Sequence, residues 1–271
     1  MSLQIHPTAI VSKNAEIGKD VTIGPFAIVD QKTKIGDRTV LRANSHICEY
    51  TEIGEDCVFH EHSVIGGLPQ DLCYEGEETW VKIGNKVVCR EFVTINRATG
   101  EGQITSLDDN CYIMEGVHIA HNAKIGTGCV IANKSGLSGH VHIGDFVVVG
   151  GMSGFHQFVH VGSYSMIGGM SRVLQDIPPY SLASGAPCRV YDINRVGLKR
   201  RGFDSESRRT IREIYRIIYN SGLGVKDGIA QVAALHGDTP VAKLIIDFAA
   251  EAKRGLAPRI TKDWHNKSED R

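Results

Sequence analysis

An aliphatic residue recurs at every sixth position of this chain and keeps its phase as far as Val173. The series starts at Ile5, is interrupted near 71–77 and at Glu101, and resumes on the same count each time. A period of six fits neither the face of a helix nor the simple alternation of a strand. It is typical of a parallel β-helix, in which each hexad forms one short strand and one corner. A coincidental run in a β-sandwich is the alternative, and the length of the run argues against it.

The positions around this aliphatic residue favour small side chains. Glycine often follows it directly, as at Gly18, Gly36 and Gly144, and we interpret these glycines as the points where the chain turns sharply. The fifth position of the hexad is also often small, as at Ala27 and Cys57. The sequence therefore predicts a solenoid with a narrow aliphatic interior.

Composition excludes several classes of protein. The formal net charge is −1, so no overall charge favours nucleic acid as a partner. No apolar run reaches the roughly eighteen residues of a membrane span, and we expect no signal peptide before the repeats. The seven cysteines are scattered without a CxxC pair, so we expect reduced thiols, no metal site and a cytoplasmic location.

The hexads predict one domain over residues 1–186. Two stretches, 66–82 and 98–106, break the period without changing its count, so we expect loops that replace hexads and project from the solenoid. Such loops in repeat proteins usually gather on a binding face. Prolines at 178–179 and Pro187 then end the ladder, because proline cannot continue it.

Residues 187–271 change to a helical period and predict a C-terminal α-helical cap. One amphipathic helix begins near Asp204 or Ser205, and a second covers 225–236. A third begins at Thr239, where proline follows the N-cap, and ends in 253–255. We expect the last dozen polar residues to fray.

Three hexads per turn place residues i and i+18 on neighbouring coils, roughly 4.8 Å apart. By this rule His121 lies under Gly139, and His118 lies under Gly136 and Gly154. Six of the twelve histidines fall between residues 118 and 160. Histidines on an outer face are often only solvated or line a subunit contact.

The pair formed by His121 and Gly139 also has a chemical interpretation. An imidazole can take a proton from a hydroxyl at neutral pH, and a glycine lets a backbone N–H approach a developing oxyanion. Acyl transfer to an alcohol needs such a base and donor, with neither metal nor protein nucleophile. No GxSxG nucleophile elbow is present.

Several strings carry a resemblance to a known family. The segment Met114–His121, with its HIAH motif, resembles the catalytic segment of the UDP-N-acetylglucosamine O-acyltransferases of lipid A biosynthesis. Further strings of the same family follow in order and cover nearly the whole chain: Pro69–Leu72, Gly150–Met152, His156–Phe158, Gln175–Tyr180 and Gly197–Phe203.

The resemblance implies a left-handed parallel β-helix with a helical cap, assembled as a homotrimer with sites between subunits. It implies transfer of a (3R)-3-hydroxyacyl group from acyl carrier protein to the 3-position of UDP-N-acetylglucosamine, the first step of lipid A biosynthesis. No cofactor is implied beyond the acyl-phosphopantetheine that the carrier brings. The implied roles are His121 as general base; Gly139 as oxyanion donor; Gln70, Asp71, His118, His140, His156 and Gln157 at the sugar or the acyl arm; Gly169 at the end of the acyl groove; and Asn194, Arg200 and Arg201 at the uridine diphosphate.

Two positions depart from the family pattern. The family commonly has Asp directly after the catalytic His, and this chain has Asn122. It often has Lys two residues after the loop Asp, and this chain has Cys73. Asparagine accepts a hydrogen bond but brings no charge, so a weaker base or another supporting residue is implied.

The cap has a charge excess of its own. Between Arg189 and Arg216 nine residues are basic and four are acidic. Such a run is often only a solvated face, but it would also steer an acidic acyl carrier protein to the cleft.

Four other functions stay open at this stage. A 3-amino sugar nucleotide is an alternative acceptor, and a zinc-dependent γ-type carbonic anhydrase uses histidines on the same fold. The related N-acyltransferase of the pathway carries an N-terminal uridine-binding domain, whereas here the repeats start by Ile5. A scaffold or ice-binding solenoid should show regular Thr ladders in place of clustered histidines. The sequence leaves the acyl chain length open.

Overall fold

In the computed structural model, which describes residues 3–260, the hexads coil through three β-sheets in turn. As far as Val173, each strand after the first three pairs in parallel with the strand three places earlier. The last two strands of the first sheet are antiparallel to each other. The first sheet contains β1 (Gln4–Ile5), β4 (Thr22–Ile23), β7 (Val40–Leu41), β10 (Val58–Phe59), β13 (Val88–Cys89), β16 (Tyr112–Ile113), β19 (Val130–Ile131), β22 (Val148–Val149), β25 (Met166–Ile167), β27 (Ser181–Ser184) and β28 (Arg189–Ile193). The second contains β2 (Ile10–Val11), β5 (Ile28–Val29), β8 (His46–Ile47), β11 (Val64–Gly67), β14 (Thr94–Asn96), β17 (His118–Ile119), β20 (Gly136–Leu137), β23 (Gly154–Phe155) and β26 (Arg172–Val173). The third contains β3 (Glu16–Ile17), β6 (Thr33–Ile35), β9 (Thr51–Ile53), β12 (Trp80–Ile83), β15 (Ile104–Leu107), β18 (Lys124–Ile125), β21 (His142–Ile143) and β24 (His160–Val161).

The strand register explains why the period keeps its count. Ile23 pairs with Leu41, eighteen positions on, which is one turn of three hexads. Phe59 pairs with Cys89, thirty positions on, and Cys89 with Ile113, twenty-four on. The two interruptions therefore insert twelve and six residues, which are whole hexads. The inserted chain lies in loop 68–79 and loop 97–103. Strands β11 and β12 extend into both ends of 66–82, and β15 extends into the end of 98–106.

The aliphatic residue of each hexad points into the solenoid. Ile47, Phe59 and Ile131 are fully buried there. Burial of such a side chain contributes about 1.5–3 kcal/mol, so the stacked coils are held mainly by this column of apolar contacts. The small fifth residue also faces inward, and the thiol of Cys57, which is fully buried, donates a hydrogen bond to the Gly84 carbonyl oxygen at 3.1 Å.

The interpretation of the second-position glycines as turn residues is wrong. The backbone turns two residues later, at non-glycine residues such as Asp20 and Arg38, whose φ angles are near +57° and +60°. The glycines instead allow successive coils to approach closely. A Cβ at Gly36 would lie 2.5 Å from the carbonyl carbon of Gly54 on the next coil. Glycine is required there for space and not for its conformational freedom.

Four helices follow the sheets: α1 (Arg195–Arg200), α2 (Ser205–Asn220), α3 (Val225–His236) and α4 (Pro240–Glu251). The predicted starts of α2 and α4 are confirmed, because Asp204 and Thr239 accept hydrogen bonds from the N–H groups of Ser207 and Ala242. The short helix α1 was not predicted. None of the helices in residues 3–260 is long and apolar enough to cross a membrane. All but the first of the last dozen residues, for which fraying was expected, lie outside the described residues.

A buried carboxylate joins the cap to the solenoid. Asp176 is fully buried, and its two oxygens accept hydrogen bonds of 2.7 Å from the N–H groups of His160 and Arg254. The Tyr215 hydroxyl donates a hydrogen bond of 2.5 Å to the Pro179 carbonyl oxygen. These contacts hold the cap over the last coils, where the open end of the core would otherwise meet water.

Candidate active site

The histidine cluster lies where the second sheet turns toward the third. His121 follows strand β17 by two residues, and Gly139 follows β20 in the same way. His118 pairs with Gly136, and the His140 N–H donates to the His121 carbonyl oxygen at 3.0 Å. The predicted i to i+18 stacking is therefore confirmed at this corner.

The imidazole of His121 is buried and fixed in orientation. Its Nδ1 lies 2.9 Å from Oδ1 of Asn122. That oxygen also accepts from the Thr99 N–H at 2.9 Å, while Nδ2 of Asn122 donates to the Thr99 carbonyl oxygen. Because Thr99 fixes which end of the amide is the acceptor, Nδ1 must carry the proton. Nε2 therefore presents a lone pair, which is the form that a general base requires.

Asp71 supplies a negative charge on the same side of the ring. Its Oδ2 lies 3.8 Å from Nδ1 of His121, and its Oδ1 accepts from the Cys73 N–H at 3.0 Å. The hydrogen bond from Cys73 lowers the pKa of Asp71, and the neighbouring imidazole lowers it further. Asp71 is thus held as a carboxylate, and it is the additional supporting group that the exchange of Asp for Asn122 implied.

The loop that carries Asp71 is tied to the second loop and to the solenoid. Asn96 donates from Nδ2 to the Leu68 carbonyl oxygen at 2.8 Å, and Glu77 accepts from the Gly100 N–H at 2.7 Å. Arg97, which is almost completely buried, donates to the Tyr74 hydroxyl at 3.0 Å. These contacts place the carboxylate at the histidine without any regular secondary structure in the loop.

Gly139 leaves the space that the His121 ring occupies. A Cβ at this position would lie 2.5 Å from Cε1 of the ring and closer still to Nε2. Within residues 3–260, no acceptor takes a hydrogen bond from the Gly139 N–H. A free backbone donor therefore lies next to the basic nitrogen.

A groove of about 520 Å³ opens above these two residues. Six of the predicted site residues line it: Gln70, His118, His121, Gly139, His156 and Gln157. His118 is anchored by a 2.8 Å hydrogen bond between its Nδ1 and Oγ1 of Thr94. Burial lowers the pKa of His118, and the positive charge of protonated His121 would lower it further. His118 is therefore neutral and able to accept or donate a hydrogen bond to a polar substrate.

A larger depression of about 780 Å³ lies on the third sheet, along Lys34, Glu52 and Lys82. It contains none of the predicted site residues. Its volume alone would make it the first candidate for the active site. The smaller groove is the better candidate because it contains the buried base His121 and the free Gly139 N–H.

His140 does not line the groove but packs against His121, which does. Its ring meets that of His121 edge-on at 5.4 Å between centroids and stacks on Phe158 at 4.7 Å. Burial and then the charge of His121 lower the pKa of His140. Within one chain His140 therefore packs against the base, and its contact with substrate stays a prediction.

The remaining predicted residues do not join the groove within one chain. Asn194 caps α1, where its Oδ1 accepts from Gly197 and its Nδ2 donates to the Tyr164 carbonyl oxygen. Arg200 is exposed, and the Arg201 guanidinium lies over the Phe146 ring at 4.4 Å. Gly169 lies on a different corner from His121, since it follows a strand of the first sheet.

The groove also has lining residues that were not predicted, among them Ser138, Arg172 and Leu174. The i to i+18 rule could have found Arg172, because Arg172 pairs with Gly154 and so continues the column of His118, Gly136 and Gly154.

Models of known protein families match both the hexads and the cap of this chain. Residues 176–257 match the family model described as UDP N-acetylglucosamine O-acyltransferase, domain 2, and residues 32–67 and 105–139 match the bacterial transferase hexapeptide model. The curated acyl-[acyl-carrier-protein]–UDP-N-acetylglucosamine O-acyltransferase of Sulfurihydrogenibium sp. is 50% identical over 96% of both chains. That of Thermodesulfovibrio yellowstonii is 44% identical over 93% of this chain and 98% of its own. The chain belongs to the UDP-N-acetylglucosamine O-acyltransferase family.

Solved structures of this family superpose over nearly the whole chain. The UDP-N-acetylglucosamine acyltransferase of Francisella novicida has a TM-score of 0.93 at 33% identity and covers 96% of both chains. The acyltransferase of Bacteroides fragilis has a TM-score of 0.90 at 40% identity, over 93% of this chain and 99% of its own. The resemblance inferred from the short motifs is therefore confirmed for the cap as well as for the hexads.

Proposed function

We propose that this chain transfers a (3R)-3-hydroxyacyl group from acyl carrier protein to the 3-hydroxyl of UDP-N-acetylglucosamine, the first step of lipid A biosynthesis. The observation that carries the proposal is the buried His121, with its Nδ1 bonded to Asn122 and its Nε2 open toward Gly139. The curated relatives are named as O-acyltransferases, which favours the hydroxyl over a 3-amine.

His121 carries the proton through the reaction. Nε2 takes the proton of the sugar hydroxyl as its oxygen attacks the thioester carbonyl carbon, and the carbonyl oxygen becomes an oxyanion. The free Gly139 N–H donates to that oxyanion. Collapse of the tetrahedral intermediate breaks the carbon–sulfur bond, and the imidazolium returns its proton to the leaving pantetheine thiolate. Asp71 and Asn122 stabilise the imidazolium at Nδ1. No cofactor enters these steps.

Replacing His121 with Ala tests the proposal. Loss of a positioned general base typically costs about 10²–10⁴ in rate. The variant should lose turnover and keep its thermal unfolding midpoint. Retention of more than a tenth of the wild-type kcat would mean that another group is the base.

The groove within one chain lacks the residues that the resemblance assigns to the uridine diphosphate. We infer that Asn194, Arg200 and Arg201 reach it from a neighbouring copy in a homotrimer of left-handed coils. The outer face of the first sheet supports an assembly, because it presents a half-buried column of valines: Val40, Val58, Val88, Val130 and Val148. A homotrimer in sedimentation analysis would support this arrangement, and a monomer at working concentrations would exclude it.

Two further parts of the proposal concern partners and location. The basic residues between Arg189 and Arg216 extend from strand β28 through α1 into α2, where the cap begins. They would attract an acidic acyl carrier protein. All seven cysteines are unpaired, which agrees with a reducing compartment and supports a cytoplasmic location.

A further inference from the structure

Three side chains with metal-binding atoms meet on the outer face of the second sheet, away from the groove. His46 lies in strand β8, Cys48 follows that strand, and Asp30 follows the neighbouring strand β5. The pairing of Val29 with Ile47 sets Asp30 beside Cys48 on adjacent coils. Strands β11 and β14 separate this cluster from β17 and the histidine groove.

The ligand atoms of the three side chains all lie within 4.8 Å of one another. Nε2 of His46 and Oδ2 of Asp30 are 2.9 Å apart and share a hydrogen bond. Each of the three residues is half-buried, so the cluster is partly shielded from solvent but still accessible to an ion. One nitrogen, one sulfur and one oxygen atom thus converge at a single place.

We propose that Asp30, His46 and Cys48 bind one Zn²⁺ ion, with water in the fourth position. Imidazole nitrogen, thiolate sulfur and carboxylate oxygen are the three ligand types that zinc takes in proteins. Binding releases one proton and moves another: the thiol proton of Cys48 goes to solvent, and the proton that the neutral His46 ring shares between Nε2 and Oδ2 of Asp30 moves to Nδ1, which frees Nε2 for the ion. The carboxylate and the thiolate together neutralise the dication.

The rearrangement needed for binding is small. Zinc bonds of about 2.0–2.3 Å in a tetrahedron require ligand atoms roughly 3.3–3.8 Å apart. The pair from His46 and Asp30 must open slightly, and Cys48 must approach by at most about 1–1.5 Å. Side-chain rotation on a fixed sheet supplies movements of this size.

The charges around Cys48 are mixed. Asp30, itself one of the three ligands, and Glu49 contribute negative charge there, and Arg97 contributes positive charge. A second cluster of similar composition, His60 with Glu61 and Glu91, differs in this respect. There the guanidinium of Arg90 already bonds to both carboxylate oxygens of Glu91. In the part of the chain that the structure describes, no Lys or Arg side chain bonds to the Asp30 carboxylate, so the first cluster fits a metal ion better.

Spacing along the sequence does not reveal this site as a zinc motif. Asp30 precedes Cys48 by eighteen positions, which is one turn of the coil, so only stacking brings them together. Neighbours in sequence alone, without a CxxC pair, therefore predict no metal site, because they do not include contacts between coils. A bound ion would cross-link two coils of the second sheet.

Cobalt substitution tests the proposal independently of acyl transfer. The full-length chain is stripped with chelator, dialysed, and titrated with Co²⁺ and then with Zn²⁺. We expect one equivalent of Co²⁺ per chain, with a near-ultraviolet thiolate-to-cobalt band that Zn²⁺ displaces. Cys48→Ser should abolish the band, and His46→Gln and Asp30→Asn should each weaken binding about tenfold or more.

Two matched variants serve as controls. Cys73→Ser removes an exposed thiol outside the cluster, and His60→Gln disrupts the second cluster. Both should bind cobalt as the wild type does. Absence of the thiolate band in the wild-type chain would overturn the proposal, even if a variant failed to fold. So would a band that survives Cys48→Ser, or affinity unchanged by His46→Gln.

Discussion

Oδ2 of Asp71 lies 3.8 Å from Nδ1 of His121, so the negative charge beside the imidazole comes from a loop residue fifty positions earlier. The residue next to His121 is the neutral Asn122, whose Oδ1 accepts a hydrogen bond from the Nδ1–H group of His121 over 2.9 Å between Nδ1 and Oδ1. Orientation and charge are therefore supplied by two different side chains. A single aspartate following the histidine would combine both roles.

Asp71→Asn should lower kcat roughly 10- to 100-fold, because the imidazolium that forms during reaction loses a charge close to Nδ1. Introducing Asn122→Asp into this variant places a carboxylate directly at Nδ1, although it forfeits the hydrogen bond to the Thr99 carbonyl oxygen. We expect the double variant to recover part of the lost kcat. Steady-state kinetics separate the possibilities: a raised KM with unchanged kcat would assign Asp71 to substrate binding alone.

Gly139→Ala should reduce kcat by about 10² or more, because the new methyl group would occupy the space of the His121 ring. Gly136→Ala is the matched control for folding, since a Cβ there meets nothing within 4 Å. Thermal unfolding of Gly136→Ala should resemble that of the wild type, and Gly139→Ala should unfold at a somewhat lower temperature because the buried ring must move. Substantial activity in Gly139→Ala would show that the ring can function in another position.

Stability should fall as the pH drops from about 6.5 toward 4. Burial first, and then the stacked His160 and nearby Lys124, lower the pKa of His142 to about 4, and burial also lowers the pKa of His160. The unfolded chain, with ordinary imidazoles near 6.5, binds more protons in this window, so acid favours unfolding. Part of each ring is exposed, which reduces the effect. We expect His142→Gln to reduce the loss of Tm between pH 7 and 4.5 by roughly 2–4 °C. An unchanged pH profile in the variant would exclude His142 as a source of acid sensitivity.

The sequence predicts the repeating part of this molecule well and the exceptional part poorly. The hexad period alone places His118 against Gly136, because every strand obeys the same register. It does not place Asp71 at His121, because loop 68–79 has no period and is positioned by particular contacts such as Glu77 with the Gly100 N–H. It also misassigns the glycines, since the clash that excludes a Cβ at Gly36 involves the next coil and not the local backbone. Contacts of this kind join residues that are far apart in the sequence, so a short stretch of sequence does not reveal them.

Arg200→Ala should raise the KM for the sugar nucleotide more than it lowers kcat. Arg200 lies in the last turn of α1 and is exposed, so in the proposed homotrimer its guanidinium would be available to the diphosphate of a substrate bound by a neighbouring copy. The diphosphate is distant from the reacting carbonyl, and its binding energy is therefore the same in the ground state and the transition state. Calorimetry with the nucleotide alone checks this, and equal affinity in variant and wild type would remove Arg200 from the site.

Gly169 should set the length of the acyl chain. The resemblance implies that Gly169 takes the position at the end of the acyl groove where, in this family, a bulky side chain shortens the accepted chain. An open groove gains about 0.8 kcal/mol per methylene buried, so a long hydroxyacyl chain should be preferred over a medium one. A Cβ at Gly169 would lie 3.3 Å from the Gly151 carbonyl oxygen, so Gly169→Ala fits with a small adjustment and should weaken the preference only slightly. Gly169→Met should reverse it, because each further methylene then overpacks the groove end. Competition between long and medium 3-hydroxyacyl carriers measures the ratio directly. A medium-chain preference in the wild type would instead assign the length limit to the cap, near Pro187.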